Sequence, residues 1–527
     1  MKIKMLQTDK RICLTLLLVM NTALFILCAN VFPIRFLTND DVTMAWIANG
    51  VVTGTPDCHL IFMNALYGCF LNLLYGVAPN VEWYSVCFSV FHIVAISIIV
   101  AFFYNKIENK LIRWTVIVLY YLLWFRIIQF FQFTTTTAML TFAAILLLLD
   151  GRYIIGGGGI LLISSLLRFD AMGLVGLLSI PLFLYFYRFD LKKYVPVLVV
   201  LFIACGLHLT DKLFYQSPEW KEYCEYNHYR SVVNDSPNNW ILNRSELPQN
   251  VSQENLQLLG NCNADPCQIS NEDMKRLAEI INKTPFLNKC HNLPYTIMHY
   301  PFHKLYLGIF VLMFLLFLLS ADAKDRKIFV ALSFLFFMMV LWFISLDGNI
   351  KLRILESVCF VLFSFVLLLN FNQDSICNTK CFFAALPLVM VCGILVIHER
   401  ACMETKNESN KEEQIKVVEG TGELQILNIN HDFKSELLSP FSLYMTPRQK
   451  FVCGGWLTNA PLSPIKSFRE TVDGNIGFFV SKNDSLTNFR KALRSNYAIE
   501  TELQTIVESE HYAVVSLKSK STVENKN

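Results

Sequence analysis

The sequence predicts a polytopic α-helical membrane protein of about eleven transmembrane helices, with a large outer loop and a small C-terminal α/β domain outside the membrane. Three observations lead there. Of the 527 residues, 54% are hydrophobic and only 17% charged, giving a mean hydropathy of +0.42. Apolar runs long enough to cross a bilayer recur along the chain. Lys and Arg gather in alternate connections between those runs, as expected when one side of a membrane retains them. The formal net charge of only +3, without a Lys/Arg tract interleaved with aromatics, argues against a nucleic-acid partner.

The runs fall near 12–32, 84–104, 112–128, 133–149, 153–167, 171–187, 194–209, 304–321, 328–345, 354–371 and 381–397. The first follows Lys2, Lys4, Lys10 and Arg11 and is longer than a signal-peptide core, which makes it a retained anchor. With the N-terminus inside, Lys106, Lys110, Arg113, Arg152, Arg188, Lys192, Lys193, Lys324, Arg326, Lys327 and Lys380 all lie in inner loops. The short outer loops hold only Arg35, Arg126, Arg168, Lys351 and Arg353. This solution requires the segment from His59 to about Tyr75 not to cross. It reads as an amphipathic helix in the outer interface, with Asn64, Tyr67 and Asn72 on its wetter side. The run Gly156-Gly157-Gly158-Gly159 reads as a site of close helix packing.

Two polar regions then land outside. Residues 210–303 form a loop carrying Cys224, Cys262, Cys267 and Cys290, enough for two disulfides in an oxidising compartment. The membrane domain spans 1–398 and includes this loop and the outer loop 33–83; residues 399–527 form the extracytoplasmic α/β domain. In it, Leu424–Ile429, Gly477–Val480 and Tyr512–Leu517 read as strands, and Ser485–Arg494 as a helix capped by Asp484. The expected location is the plasma (inner) membrane, N-terminus cytoplasmic and C-terminal domain extracytoplasmic.

On this topology the unusual polar residues collect on one face. Asn39-Asp40-Asp41 follows the first span directly, and an isolated Asp-Asp there would ordinarily be a solvated pair or a helix N-cap. Near it in the topology lie Gln129, Gln132 and Thr134–Thr137, the turn Leu167-Arg168-Phe169-Asp170, and Asp347-Gly348-Asn349-Ile350-Lys351-Leu352-Arg353. Arg168, Lys351 and Arg353 have a plainer reading as headgroup-binding charges, and the threonines as bonding their own helix. Acid outside, cations beside it and an apolar bundle below nevertheless describe one chemistry well. A sugar on a polyprenyl phosphate is displaced by an acceptor hydroxyl, a carboxylate takes the proton, and Arg or Lys neutralises the departing phosphate.

The order of first span, Asn39-Asp40-Asp41, the opening Thr53-Gly54-Thr55-Pro56-Asp57-Cys58-His59-Leu60-Ile61-Phe62 and second span resembles the GT-C superfamily of polytopic glycosyltransferases. More narrowly it is similar to a largely uncharacterised group of bacterial membrane proteins. Those share the turn Gln132–Thr136, the turn Leu167–Asp170, and a Trp…Tyr…Tyr-Asn…Arg stretch, here Trp220, Tyr223, Tyr226, Asn227 and Arg230. The likeness covers roughly residues 10–372 and is strongest in the first half. It implies a GT-C-like membrane domain and Asp40 or Asp41 as general base, with Asp40 preferred because the motif's acid usually follows its Asn; the placement of Arg168, Lys351 and Arg353 on the same face makes them the candidates to hold the donor phosphate. Asn39, His59, Asp170, Trp220, Tyr226 and Arg230 would contact substrate, the two aromatics by offering ring faces from an outer-loop lid. The sequence lacks the His-Pro-Pro that follows the acids in better-known relatives, so donor sugar and acceptor stay open. The implied partners are a polyprenyl-phosphate sugar, a cell-envelope glycan or lipid acceptor, and the bilayer. No cofactor is required, and a divalent cation stays open. A surface-polysaccharide polymerase or ligase, a transporter and a receptor are the competing classes.

Overall fold

Hydropathy dictates helix over most of the chain, because a helix satisfies every interior N–H and C=O within its own segment. The computed structural model describes residues 14–188, 190–245, 247–249, 251–260, 263, 265, 267–299, 324–348, 350–370, 391, 393, 408–452, 454–482 and 484–520. The chain begins with α1 (Leu14–Val31), the short strand β1 (Arg35–Phe36), α2 (Asn39–Asn49), α3 (Ala65–Val77), α4 (Trp83–Lys106) and α5 (Lys110–Gln129). It continues with β2 (Phe130–Phe131), α6 (Phe133–Asp150), α7 (Ile154–Leu167), α8 (Phe169–Leu178), α9 (Ile180–Tyr187) and α10 (Leu191–Phe214). The polar region after it is helical too, with α11 (Pro218–Asp235), α12 (Gln253–Gly260), α13 (Asn271–Asn282), α14 (Phe286–Cys290) and α15 (Asn292–His299). Then come α16 (Lys324–Ser345) and α17 (Leu352–Asn370).

Among the described residues, five helices are long and apolar enough to cross a membrane: α1, α4, α6, α10 and the Ile328–Ser345 part of α16. A sixth arises if α8 and α9, bent by 45° at their junction, count as one. Pro181 explains the bend, since it has no N–H to donate and its ring crowds the preceding turn. The runs expected at 112–128, 153–167 and 354–371 fall on the helices α5, α7 and α17, whereas that at 304–321 and all but residues 391 and 393 of that at 381–397 lie outside the described residues. Among the described residues, five or six apolar helices therefore meet this length and composition, and the full set of eleven expected spans is not shown. The glycine run does bring helices close: a Cβ on Gly157 would sit 3.0 Å from the Ala144 carbonyl, and one on Gly158 3.0 Å from Val200 Cγ2.

The segment expected as an interfacial helix begins later and faces the other way. Asn64 caps α3 by accepting from Leu66 N, and its amide also donates to Leu207 O. Tyr67 is buried, while Phe70, Leu73 and Val77 are exposed. The outward face is thus apolar and the polar groups point inward, the reverse of the expectation.

The C-terminal domain comprises α18 (Glu408–Glu419), β3 (Gln425–Leu427), β4 (Phe451–Val452), β5 (Ile476–Ser481), α19 (Thr487–Tyr497), β6 (Thr501–Glu508) and β7 (Tyr512–Ser519). Its sheet runs in the order β4-β3-β5-β7-β6, with β3 parallel to β4 and β5 and β7 antiparallel to β5 and β6. Phe478, Val480 and Val515 from the sheet pack against Phe489 and Leu493 of α19. Asp484 does not cap that helix; it accepts from Leu486 N in the turn before it. The polar loop has a separate core built from Tyr226, Val233, Leu242, Met274, Leu277 and Ile281. The expected disulfides do not form among the described residues, since Cys224, Cys267 and Cys290 are free thiols and Cys262 lies outside them.

Two glycines of α3 give a test of this packing. A Cβ on Gly68 would fall 2.2 Å from the Cys58 carbonyl oxygen, whereas Gly76 meets nothing within 4 Å. Gly68→Ala should therefore lower the melting temperature through an overpacking cost of about 1–3 kcal/mol. Gly76→Ala should leave it unchanged or raise it, because Ala is the better helix former by roughly 0.5–1 kcal/mol. Thermal unfolding of both variants in detergent distinguishes the two.

Candidate functional site

The acidic motif is held in place by pairing before its side chains come into play. β1 runs parallel to β2, with Arg35 opposite Phe130 and Phe36 opposite Phe131, and Leu37 N extends the ladder to Phe131 O. The short ladder sets the start of α2 beside the start of α6. Two acids in the first turn of α2 suit the positive end of its dipole. The helix ends at Gly50, whose φ of +84° and lack of a Cβ let Thr55 approach where a side chain would collide.

Consecutive helical residues point about 100° apart, so the two carboxylates part company. Asp41 is fully buried. Its Oδ1 accepts from Phe133 N (3.0 Å) and from the Tyr84 hydroxyl (3.2 Å), and its Oδ2 from Thr38 Oγ1 (3.1 Å). It thereby satisfies one of the free N–H groups at the start of α6, while Gln132 takes those of Thr134 and Thr135. Burial pushes the Asp41 carboxyl up to about 8, against the lowering effect of the Phe133 N–H.

Asp40 faces the other way, into a cavity of about 1090 Å³. Its Oδ1 accepts from Trp456 Nε1 at 3.1 Å and its Oδ2 lies 3.6 Å from Arg353. Arg353 stands at the first turn of α17 with its guanidinium 5.9 Å from the centre of the Phe133 ring. Arg168, at the α7–α8 junction, reaches the same ring at 4.9 Å and Phe62 at 5.5 Å. Two guanidiniums thus lie over one aromatic ring beside one carboxylate. Lys351 and Lys434 add further positive charge to the lining, and Asp170, Asp235 and Glu436 add negative charge. Ala171, Leu174, Ile344 and Ile354 form the apolar part of the wall. The arrangement suits a ligand with an anionic group, hydroxyls and an apolar portion.

The structure brings together many residues singled out from sequence. Asn39, Asp40, Arg168, Asp170, Arg230, Lys351 and Arg353 all line this cavity. Lys351 is also paired with Asp235 at 3.0 Å, and Arg230 donates to Asn227 Oδ1 at 2.8 Å. Asp41, His59, Trp220 and Tyr226 do not line it. Trp220 is stacked on His59, ring centres 4.5 Å apart, and Tyr226 belongs to the core of the polar 210–303 region, so neither offers a face to the cavity. The aromatics that do are Phe62, Phe133, Phe433 and Trp456.

Asp57, Cys58 and His59 bring a carboxylate oxygen, a thiol and an imidazole nitrogen within 4.8 Å, a spacing a cation can bridge. The nitrogens of His59 are engaged otherwise, with Nδ1 2.7 Å from Asp57 Oδ1 and Nε2 3.2 Å from Phe214 O. Burial opposes charge on this imidazole, but the bonds to Asp57 and Cys58 outweigh it and raise the ring to about 10. The group is accordingly an ion pair that anchors the 57–59 turn to the end of α10. The C-terminal domain contributes His431, Phe433, Lys434, Glu436 and Trp456, none of which the sequence alone marks as part of the site. The available signal was Gly454-Gly455-Trp456, a tight turn that displays a large aromatic.

Asp41 carries a pH prediction. Its folded carboxyl titrates near 8 and its ordinary value is 3.8, so between these values the folded protein holds a proton that the unfolded chain has released. Its stabilising contribution is complete below the lower value and falls as pH rises toward the upper one. Asp41→Asn removes this titration, so the variant's melting temperature should gain on that of the wild type between pH 5 and 8. A constant difference across that range would show that Asp41 does not take up a proton on folding.

Comparison with protein-family models, with curated proteins and with solved structures finds no match to this chain.

Proposed function

We propose that this protein is a membrane-embedded glycosyltransferase that moves a sugar from a polyprenyl phosphate to an acceptor hydroxyl on the outer face of the plasma membrane, with Asp40 as general base. The observation that carries the reading is the pairing of Asp40 with Arg353, 3.6 Å apart in a cavity whose wall is partly apolar. A base alone is common, and so is a cation alone. A carboxylate and two guanidiniums sharing one chamber with an apolar wall match the three parts of a lipid-linked sugar donor.

In this chemistry the acceptor oxygen attacks the anomeric carbon while the bond from that carbon to the phosphate oxygen breaks. The hydroxyl proton passes to Asp40, and the electron pair of the broken bond leaves on the polyprenyl phosphate. Arg353 and Arg168 stabilise the charge that develops on the departing phosphate; Arg is suited to this because its planar fork meets two oxygens at once. The Arg353 guanidinium lies 3.6 Å from Asp40, beyond a hydrogen bond. The donor phosphate takes over that guanidinium and leaves the carboxylate to the acceptor. Asp41 acts through Asp40, by fixing the turn on which it stands.

In a vesicle assay with polyprenyl-phosphate-linked sugars, Asp40→Asn should abolish transfer while leaving folding and donor binding largely intact. Arg353→Ala should instead weaken donor binding by roughly 1.5–3 kcal/mol, the worth of a hydrogen bond to a charged group. Near-normal transfer by Asp40→Asn would remove the general base from the reading.

A further inference from the structure

Trp456 reaches Asp40 from a domain that begins hundreds of residues later, and its placement is over-determined. The indole ring packs on Phe62 with centres 4.7 Å apart. The Trp456 carbonyl accepts from the Tyr223 hydroxyl at 3.1 Å, and the preceding Gly455 N donates to Asn263 Oδ1 at 2.9 Å. Asn263 also donates to Ile429 O at 2.6 Å, so one outer-loop amide ties two loops of the C-terminal domain together. Gly455 adopts a φ of +66°, a conformation that glycine reaches without strain and that turns Trp456 toward the cavity.

The consequence falls on the carboxylate. A carboxylate on a short side chain rotates readily and presents either oxygen. Here Oδ1 is held by the Trp456 N–H and Oδ2 is left facing Arg353. We propose that Trp456 is a positioning residue that locks the Asp40 carboxylate so that Oδ2 meets the acceptor hydroxyl, which makes the C-terminal domain a working part of the transfer site. This rests on the transferase reading above. A base held in one orientation avoids the rate loss that small misplacements bring, which reaches about a hundredfold for an error of about 1 Å.

Trp456→Phe keeps a six-membered ring against Phe62 but removes the N–H together with the five-membered ring that carries it. The full chain in vesicles, supplied with a panel of polyprenyl-phosphate-linked hexoses and pentoses and a lipid-linked oligosaccharide acceptor, should show kcat lowered by about ten- to a hundredfold. KM for the donor should be essentially unchanged, a split that a loss of packing alone would not produce. A double-mutant cycle of melting temperatures with Asp40→Ala should also show that Trp456 and Asp40 are coupled, which reads the contact without any activity. If the wild type transfers sugar and Trp456→Phe matches it, or if the loss lies in donor KM, the positioning role is overturned and the transferase reading stands. If the wild type transfers from none of these donors, the transferase reading falls and takes this role with it, whatever the cycle shows.

Discussion

The structure around the candidate site depends on one buried carboxyl group, that of Asp41. Asp41 accepts from a backbone N–H at the start of α6, from Tyr84 on α4 and from Thr38 just before its own helix. A buried carboxyl without partners is costly, so removing any of the three donors destabilises the junction of those helices. In return the motif has little freedom. With Asp41 fixed inward, helical geometry sends Asp40 outward into the cavity, and the β1–β2 ladder holds the register of that arrangement.

Around this fixed point the cavity is assembled from segments far apart in sequence. Arg168 comes from the α7–α8 junction, Lys351 and Arg353 from the start of α17, Asn227 and Arg230 from α11, and Trp456 from the C-terminal sheet domain. Contacts across these parts are specific. Arg35 donates to the Leu437 carbonyl, Ser85 to Pro440 O at 2.6 Å, and Gln449 N to Val51 O at 2.6 Å. The C-terminal domain therefore shares backbone and side-chain bonds with the loops that carry the acids. An electrostatic site benefits from such bracing, because groups already in place need no reorganisation when charge develops.

How much of this was legible in the sequence follows from the range of the forces involved. Apolar periodicity is local, so helices at 83–106 and 133–150 were readable, and so was the exceptional position of Asp40-Asp41 at the end of the first apolar run. Which of the two acids faces the cavity was not readable from spacing, because it depends on what packs against α2. The direction of α3 differs from the sequence expectation for a related reason. Asn64 and Tyr67 look like the wet side of a surface helix, but Asn64 finds a partner in the Leu207 carbonyl and Tyr67 is packed inside, leaving Leu73 and Val77 outward. The strand β6 is not legible in the sequence, because most of its side chains are exposed and leave no regular alternation of buried and exposed positions. The docking of Trp456 on Asp40 joins residues 416 positions apart, and nothing local encodes it.

The most direct test of the central claim is mass spectrometry of the lipids that co-purify with the protein in mild detergent. The wild type should retain a polyprenyl phosphate, with or without its sugar, and the protein should be depleted of it when Arg168 and Arg353 are both replaced by Ala. Retention of such a lipid at equal levels by that double variant would contradict the assignment of the two guanidiniums. A protein that retains only bulk phospholipid, and binds no added polyprenyl-phosphate sugar, would contradict the assignment of the cavity itself.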